Sequence, residues 1–358
     1  MKRILVSVTN DLITDQRVHK VCTTLTENNF EVLLIGRKLK NSQKINRKYN
    51  TTRMKLLFTS GFLFYAEYNL RLFIKLLFLK KDMLLANDLD TLFPNYLISK
   101  LFNKKLVFDS HELFSELPSI QGRYSQKVWR FLEKWLVPKQ LYFYTVSDSI
   151  ANWFNKNYDV KPLVIKNFPK YNESHFSESK DRYIIYQGAL NNGRGLLALI
   201  EAMKLVEHIK LKIAGDGPFK SKIQEKINCC KVEEKVILLG NIEPEKLVTL
   251  TQNATLGISL EENLGLSYKY SLPNKLFDYI QAKTPVVATY LPEIKKVVET
   301  YKVGEIIDNH SPESIAKAIN KVVKNGKLFY QLNLEIASKK LTWERQEEKL
   351  VSIFKLSK

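Results

Sequence analysis

Short apolar runs of three to five residues alternate with helix-period segments along nearly the whole chain, and no other feature narrows its fold as much. Residues 4–8, ILVSV, read as a buried strand. A helix follows from about Asp15, with Val18, Cys22 and Leu25 at helical spacing, and residues 32–35 form the next strand. Residues 83–86, 106–108, 142–146 and 163–165 continue the series, separated by helical segments such as 91–102 and 126–137. This β-α alternation predicts an α/β chain with a parallel, doubly wound sheet.

The pattern then begins again. Strands are predicted at 183–186, 210–214, 236–239, 255–259, 286–288 and 305–307, and helices near 195–206, 218–228, 244–252, 274–282 and 312–324. Between the two series lies NFPKYNESHFSESK, residues 167–180, polar and carrying a proline, which suits an interdomain linker. The expected organisation is one Rossmann-like domain over residues 1–166 and a second over 167–340, facing one another across a cleft where a ligand binds. Residues 341–358, with Trp343, Leu350, Ile353 and Phe354 at helical spacing, form a closing helix that is free to pack on either domain, the first included.

Charge limits the partners. The formal net charge is +19, and residues 1–180 hold 29 Lys/Arg against 16 Asp/Glu, while the remainder holds 27 against 21. Between Glu31 and Glu67 there is no acid but eight cations, Arg37, Lys38, Lys40, Lys44, Arg47, Lys48, Arg53 and Lys55. Such a patch attracts anionic lipid or nucleic acid. No nucleic-acid recognition motif accompanies it, so nucleic acid is not the expected partner. Three cysteines, two of them adjacent, make neither a disulfide framework nor a metal-ligand spacing, which fits a reducing compartment. The first apolar run is too short for a signal peptide, and no uncharged stretch is long enough to span a bilayer. A cytoplasmic protein is expected.

Three motifs in the second half carry chemistry. YIIYQG, residues 183–188, is a strand ending at Gly188, and ALNNGRG follows with Gly193, Arg194 and Gly195 before a helix. Glycines at such a junction let backbone N–H groups approach a phosphate, and arginine adds a fork of donors. IAGDGP, residues 213–218, places Gly215, Asp216 and Gly217 in a second strand-to-helix turn. SLPNKLFDYI, residues 271–280, opens a helix after Pro273, with Asn274, and with Lys275 and Asp278 on one face. A cation for phosphate and a carboxylate for ribose hydroxyls are thus offered together.

In this order and spacing the motifs resemble the donor domain of retaining glycosyltransferases of family 4, which have the GT-B fold, in particular a bacterial type that builds surface polysaccharides. The resemblance covers nearly the whole chain. It implies that Arg194 and Gly195 take the place of the family's Lys-Gly pair on the donor diphosphate, that Asp278 takes the place of a glutamate holding the ribose, and that the second domain binds a nucleotide sugar. The family's other cation falls on Ala189 and its other glutamate on Tyr270. Lys275 is expected to replace that cation, and Glu261 or Glu262 that acid.

The first half supports the same reading. NDLITDQR, residues 10–17, follows the first strand and resembles the family's loop near donor phosphates and acceptor, which makes Asp15 and Arg17 candidates. NDLDTL, residues 87–92, and FDSHE, residues 108–112, end two further strands, where open α/β sheets place ligands. Asp88, His111 and Glu112 are the candidates there; the family places a histidine in this region against the transferred sugar. Asp88 and Asp90 form a D-x-D pair at a predicted helix start, where acids cap, and Arg194 with Lys275 supplies the leaving-group charge stabilisation that a metal provides elsewhere. No metal and no cofactor are expected. VSDS, residues 146–149, and Asn167 also match family positions near the cleft.

GFLFYAEYNLRLFIKLLFLK, residues 61–80, is apolar and aromatic apart from Glu67, Arg71, Lys75 and Lys80. With the basic run before it, this reads as an interfacial helix, or as a buried helix with one wet stripe. The expected partners are therefore a UDP- or GDP-sugar donor, a lipid-linked or saccharide acceptor and an anionic membrane surface, on the inner face of the plasma membrane. A nucleotide-sugar epimerase of the same fold, a basic nucleic-acid-binding protein and a non-catalytic donor-binding partner are the alternatives.

Overall fold

The computed structural model describes residues 1–13, 15–173, 177 and 181–356. Part of the linker expected at 167–180, and Thr14 of the first loop, lie outside the described residues. The chain forms two compact units, Met1–Asn167 with Gln346–Lys358, and Phe168–Arg345.

The first unit is built on seven strands: β1 (Lys2–Asp11), β2 (Phe30–Lys38), β3 (Asn50–Lys55), β4 (Met83–Asn87), β5 (Lys105–Ser110), β6 (Tyr142–Thr145) and β7 (Leu163–Val164). Their order is β3-β2-β1-β4-β5-β6-β7, and every pairing is parallel. The direction of winding reverses between β1 and β4, which makes a switch point where the ends of those two strands diverge. β4 and β5 are buried throughout, as strands covered on both faces must be.

β3 was not foreseen. Its sequence NTTRMK has one buried residue, Met54, and lies at the sheet edge, so no apolar run marks it. The helix Gly61–Phe78 buries the stripe Phe64, Tyr68, Leu72 and Leu76 against the sheet, and Tyr68 Oη donates to Val8 O at 2.6 Å. Lys81 closes that helix by donating to the carbonyls of Leu76 and Leu79 at 2.7 and 2.9 Å, its ammonium over the Phe102 ring. The last helix, Glu344–Lys355, belongs to this unit from Gln346 onward. Phe354 meets Phe30, Thr24 donates to Glu347, and the buried Lys105 donates to the Leu356 carbonyl.

The second unit has six strands: β8 (Tyr183–Gln187), β9 (Lys210–Ala214), β10 (Val236–Gly240), β11 (Leu256–Ser259), β12 (Val286–Ala288) and β13 (Gly304–Ile306). The order β10-β9-β8-β11-β12-β13 is again wholly parallel, with its switch point between β8 and β11. Leu199, Ile200, Leu276, Ile280, Ile294, Ile315 and Ile319 from the covering helices pack against the strands as one core. No helix among the described residues is long and apolar enough to cross a membrane.

Candidate functional site

In the second unit the ends of β8 and β11 deliver the chemistry. The chain leaves β8 at Gly188, and Glu261 sits two residues beyond β11. Gly215, after β9, has φ +144° and packs so close that a Cβ would run into Gly188 O, so only glycine lets these turns nest. Gly195 has φ +68° and backs onto Leu260 O with the same consequence. The glycines thus serve close approach of β8, β9 and β11 ends.

These contacts change the role expected of some amides. Gly188 N donates to Ala214 O, Gly215 N to Gly240 O, and Gly217 N to the Asp216 carboxylate, so these three are committed within the fold. The turn at Gly193, Arg194 and Gly195 keeps its N–H groups without an intrachain acceptor among the described residues. Asp216 also pairs with Lys220 on the surface.

Arg194 and Lys275 converge although 81 positions of sequence separate them. Lys275, in the helix Asn274–Gln281, brings its ammonium to 3.1 Å from Glu261 Oε1, and Arg194 Nη1 lies 3.5 Å from the same oxygen. Ser259 Oγ donates to the other carboxylate oxygen at 2.7 Å. Glu261 is 1% exposed. Burial raises the pKa of this carboxyl, but the Lys275 and Arg194 charges outweigh it and hold the group below its ordinary value, so it is ionised. Lys275 Nζ stands 4.1 Å over the Tyr186 ring, and its contact with Glu261 lacks hydrogen-bond alignment, leaving a buried ammonium with unused donors. The Arg194 guanidinium lies 5.8 Å from the Tyr268 ring centre. Two cations and one anion leave a net positive charge beside open amides, which suits a diphosphate. Asp278, one turn after Lys275, accepts from Gln187 at 3.1 Å, and Asn274 is exposed at the helix start.

In the first unit the candidates gather at the ends of β1, β4 and β5, but most are bound to one another. Arg17 is buried and grips Asp109 with Nη2 at 2.9 Å and Nε at 3.2 Å, while Nη1 reaches Ile165 O. It holds Asp109 in place and presents no free guanidinium. Asp15 caps the helix Gln16–Glu27 by accepting from Val18 N. His111 lies between two acids, Nε2 2.9 Å from Asp109 and Nδ1 3.3 Å from Asp88. Burial works against a charge on the ring, but Asp109 and Asp88 outweigh it and keep the imidazole well above its ordinary range. The ring is therefore a clamped imidazolium. Burial raises the Asp109 carboxyl, and Arg17 and His111 overcome this to bring it to about 2.

Asp88 departs from the expected capping role. Its side chain makes no cap; it accepts from the His111 backbone N–H at 2.7 Å instead. Its φ of +57° is rare for a residue with a Cβ and stores strain of about 1–3 kcal/mol at this point. Asp90 accepts from Thr9 Oγ1 at 2.6 Å, so the two acids of the D-x-D pair face different partners. Burial, then the Asp88 charge, pushes Asp90 up to about 8; the same two causes push Glu112 to about 7. Among the described residues no group of three or more His, Cys, Asp and Glu side chains is placed to hold a metal ion. Ser147 caps the helix Asp148–Tyr158. Sequence reasoning missed Ser259, Gln187, Thr251 and Thr9; Gln187 alone carried a signal, its place directly before the glycine that ends β8.

Comparison with known proteins bears chiefly on the second unit. Residues 167–338 match the family model described as Glycosyl transferases group 1. A further likeness is to an uncharacterized glycosyltransferase of Methanocaldococcus jannaschii, 24% identical over 188 residues, which are 50% of this chain and 46% of that protein. The aligned part thus spans less than half of that relative. Among solved structures, a sucrose-phosphate synthase from Thermosynechococcus elongatus matches with a TM-score of 0.82 at 14% identity, covering 99% of this chain and 98% of the other. Anabaena HepE in complex with UDP-glucose matches with a TM-score of 0.75 at 13% identity, covering 99% of each chain. The two parallel-sheet Rossmann-like units are therefore those of the GT-B glycosyltransferase fold.

Proposed function

We propose that this protein is a metal-independent glycosyltransferase that moves a hexose or related sugar from a UDP- or GDP-sugar to a lipid-linked or saccharide acceptor, with retention of configuration, in the synthesis of a surface polysaccharide. The observation that carries the reading is the convergence of Arg194 and Lys275 on one buried carboxylate beside the open amides of residues 193–195. Positioned cations there stabilise the charge that develops on a departing nucleoside diphosphate. The family match over residues 167–338 and the UDP-glucose held by the Anabaena neighbour support a nucleotide-sugar donor.

The acceptor side is the first unit. His111, Asp88 and Glu112 supply a fixed positive ring and two carboxyls at the ends of β4 and β5. The helix Gly61–Phe78 leaves Phe62, Leu63, Leu70, Ile74 and Phe78 exposed, and Lys38, Lys40 and Lys44 are exposed on the basic run before it. An apolar face flanked by lysines suits an anionic membrane surface, the cytoplasmic leaflet in this reading.

A thermal-shift screen of UDP, GDP and their sugars tests the donor assignment. A nucleotide present at 100 times its dissociation constant is expected to add ~2.7 kcal/mol of stability. A protein indifferent to all of them overturns it. Donor consumption that requires an added acceptor then separates transfer from epimerisation.

A further inference from the structure

Gln187 is the last residue of β8 and is 6% exposed. Its Nε2 donates to Asp278 Oδ2 at 3.1 Å, and its Oε1 accepts from Thr251 Oγ1 at 2.6 Å. Its backbone is fixed as well, since Gln187 N donates to the buried Tyr279 hydroxyl at 3.1 Å. Thr251 is 2% exposed, and its single hydroxyl proton is within reach of a second acceptor, Leu247 O at 2.8 Å.

The direction of this chain follows from charge. An amide turned over would set its oxygen against the Asp278 carboxylate. With nitrogen toward the carboxylate, the amide oxygen faces Thr251 and demands the one proton that hydroxyl has. The Asp278 carboxyl oxygen thus orders Gln187, and Gln187 orders Thr251. All three line one cavity of about 290 Å³, whose apolar wall is Pro244, Leu247 and Val248. The chain is buried at its Thr251 and Gln187 end, and Asp278 is its more accessible member.

We propose that Gln187 is a positioning residue for Asp278, locked in orientation by Thr251, and that this lock sets the protein's preference for a ribonucleotide donor. The inference rests on the donor reading above, in which Asp278 takes the ribose. An aspartate is one methylene shorter than a glutamate, so it has less reach with which to find a hydroxyl. A charge-assisted bond from a buried amide holds it in a single orientation.

The test measures binding of UDP and GDP and of their 2′-deoxy counterparts to the full chain by calorimetry, with thermal melting beside it. Wild type is expected to prefer the ribonucleotide. Gln187→Leu and Thr251→Val are expected to cut that preference about tenfold, the effect of one such hydrogen bond, and Thr251→Ser to restore it. A general structural defect would instead weaken ribo- and deoxynucleotide equally. If Gln187→Leu does not fold, the Thr251→Val and Thr251→Ser pair decides. Loss of the preference in Asp278→Asn but not in the Gln187 and Thr251 variants overturns the positioning role alone. A preference unchanged in Asp278→Asn, or a wild type that binds neither nucleotide, overturns the donor reading and this inference with it.

Discussion

The Glu261 carboxylate lies 3.1 Å from the Lys275 ammonium, and both are buried. In the proposed donor site the acid would compete with a diphosphate for Arg194 and Lys275, both of which it contacts. Glu261→Gln removes the competitor and strands a buried ammonium. Leaving one partner of a buried pair uncompensated costs about 3 kcal/mol, so the melting temperature without ligand is expected to fall. The gain in melting temperature on adding UDP is expected to exceed that of wild type, because the nucleotide then supplies the missing anion. Thermal melting with and without UDP checks this, and an equal gain in both proteins would remove Glu261 from the site.

Arg194→Ala tests the other cation. Arg194 keeps about a quarter of its side chain exposed, at 26%, so its loss disturbs the core little. Removing one preorganised charge from a developing anion typically lowers turnover by ~100- to 1000-fold. Turnover is expected to drop by that factor while the melting temperature stays close to wild type. Steady-state kinetics at saturating donor provide the measure, and unchanged turnover would refute the role.

Much of the fold was legible because strands buried on both faces leave apolar runs that survive without any alignment. β3 left none, since an edge strand with Met54 as its one buried residue needs no apolar sequence. That Arg194 and Lys275 stand at a strand-to-helix turn and at a helix start was legible from the glycines and from Asn274. Their meeting at Glu261 was not, because it depends on β11 lying beside β8 across the switch point. Arg17 shows the opposite case. Its place at the end of the first loop read as ligand-facing, yet its guanidinium is used up by Asp109, 92 positions away in sequence. Spacing reports which residues reach a strand end; which of them neutralise each other there is a property of the packed structure.

Asp90 makes stability depend on pH. Burial first, then the Asp88 charge, holds its carboxyl at about 8 against the Thr9 hydrogen bond. An unfolded aspartate titrates near ~4. Between these values the unfolded chain sheds a proton that the folded chain retains, so this group's contribution to stability falls as pH rises. Asp90→Asn is neutral throughout and is expected to flatten the profile, narrowing the difference in unfolding free energy between pH 5 and pH 8 by about 3–4 kcal/mol. Urea denaturation at the two pH values gives the comparison, and an unaltered slope would assign it elsewhere.

The helix Gly61–Phe78 separates packing from surface residue by residue. Leu72 is fully buried, whereas Leu70, Ile74 and Phe78 are exposed on the same helix. Leu72→Ala is expected to destabilise the protein by about 2–5 kcal/mol through the cavity it leaves. Replacing Leu70, Ile74 and Phe78 together by Ser removes apolar area already in water, so it is expected to leave stability unchanged and to weaken binding to vesicles containing anionic lipid. Changing Lys38, Lys40 and Lys44 to Glu attacks the same contact through charge, at about 1 kcal/mol for each lysine lost. Arg37 is left out because its guanidinium stacks on Phe64, 4.9 Å from the ring centre, and donates to Thr59 O. Vesicle co-sedimentation at low and high salt distinguishes the two sets. The lysine variant is expected to bind less at low salt and like wild type at high salt, and the serine variant less at both. Wild-type binding by the serine variant at either salt would mean that this face does not touch lipid.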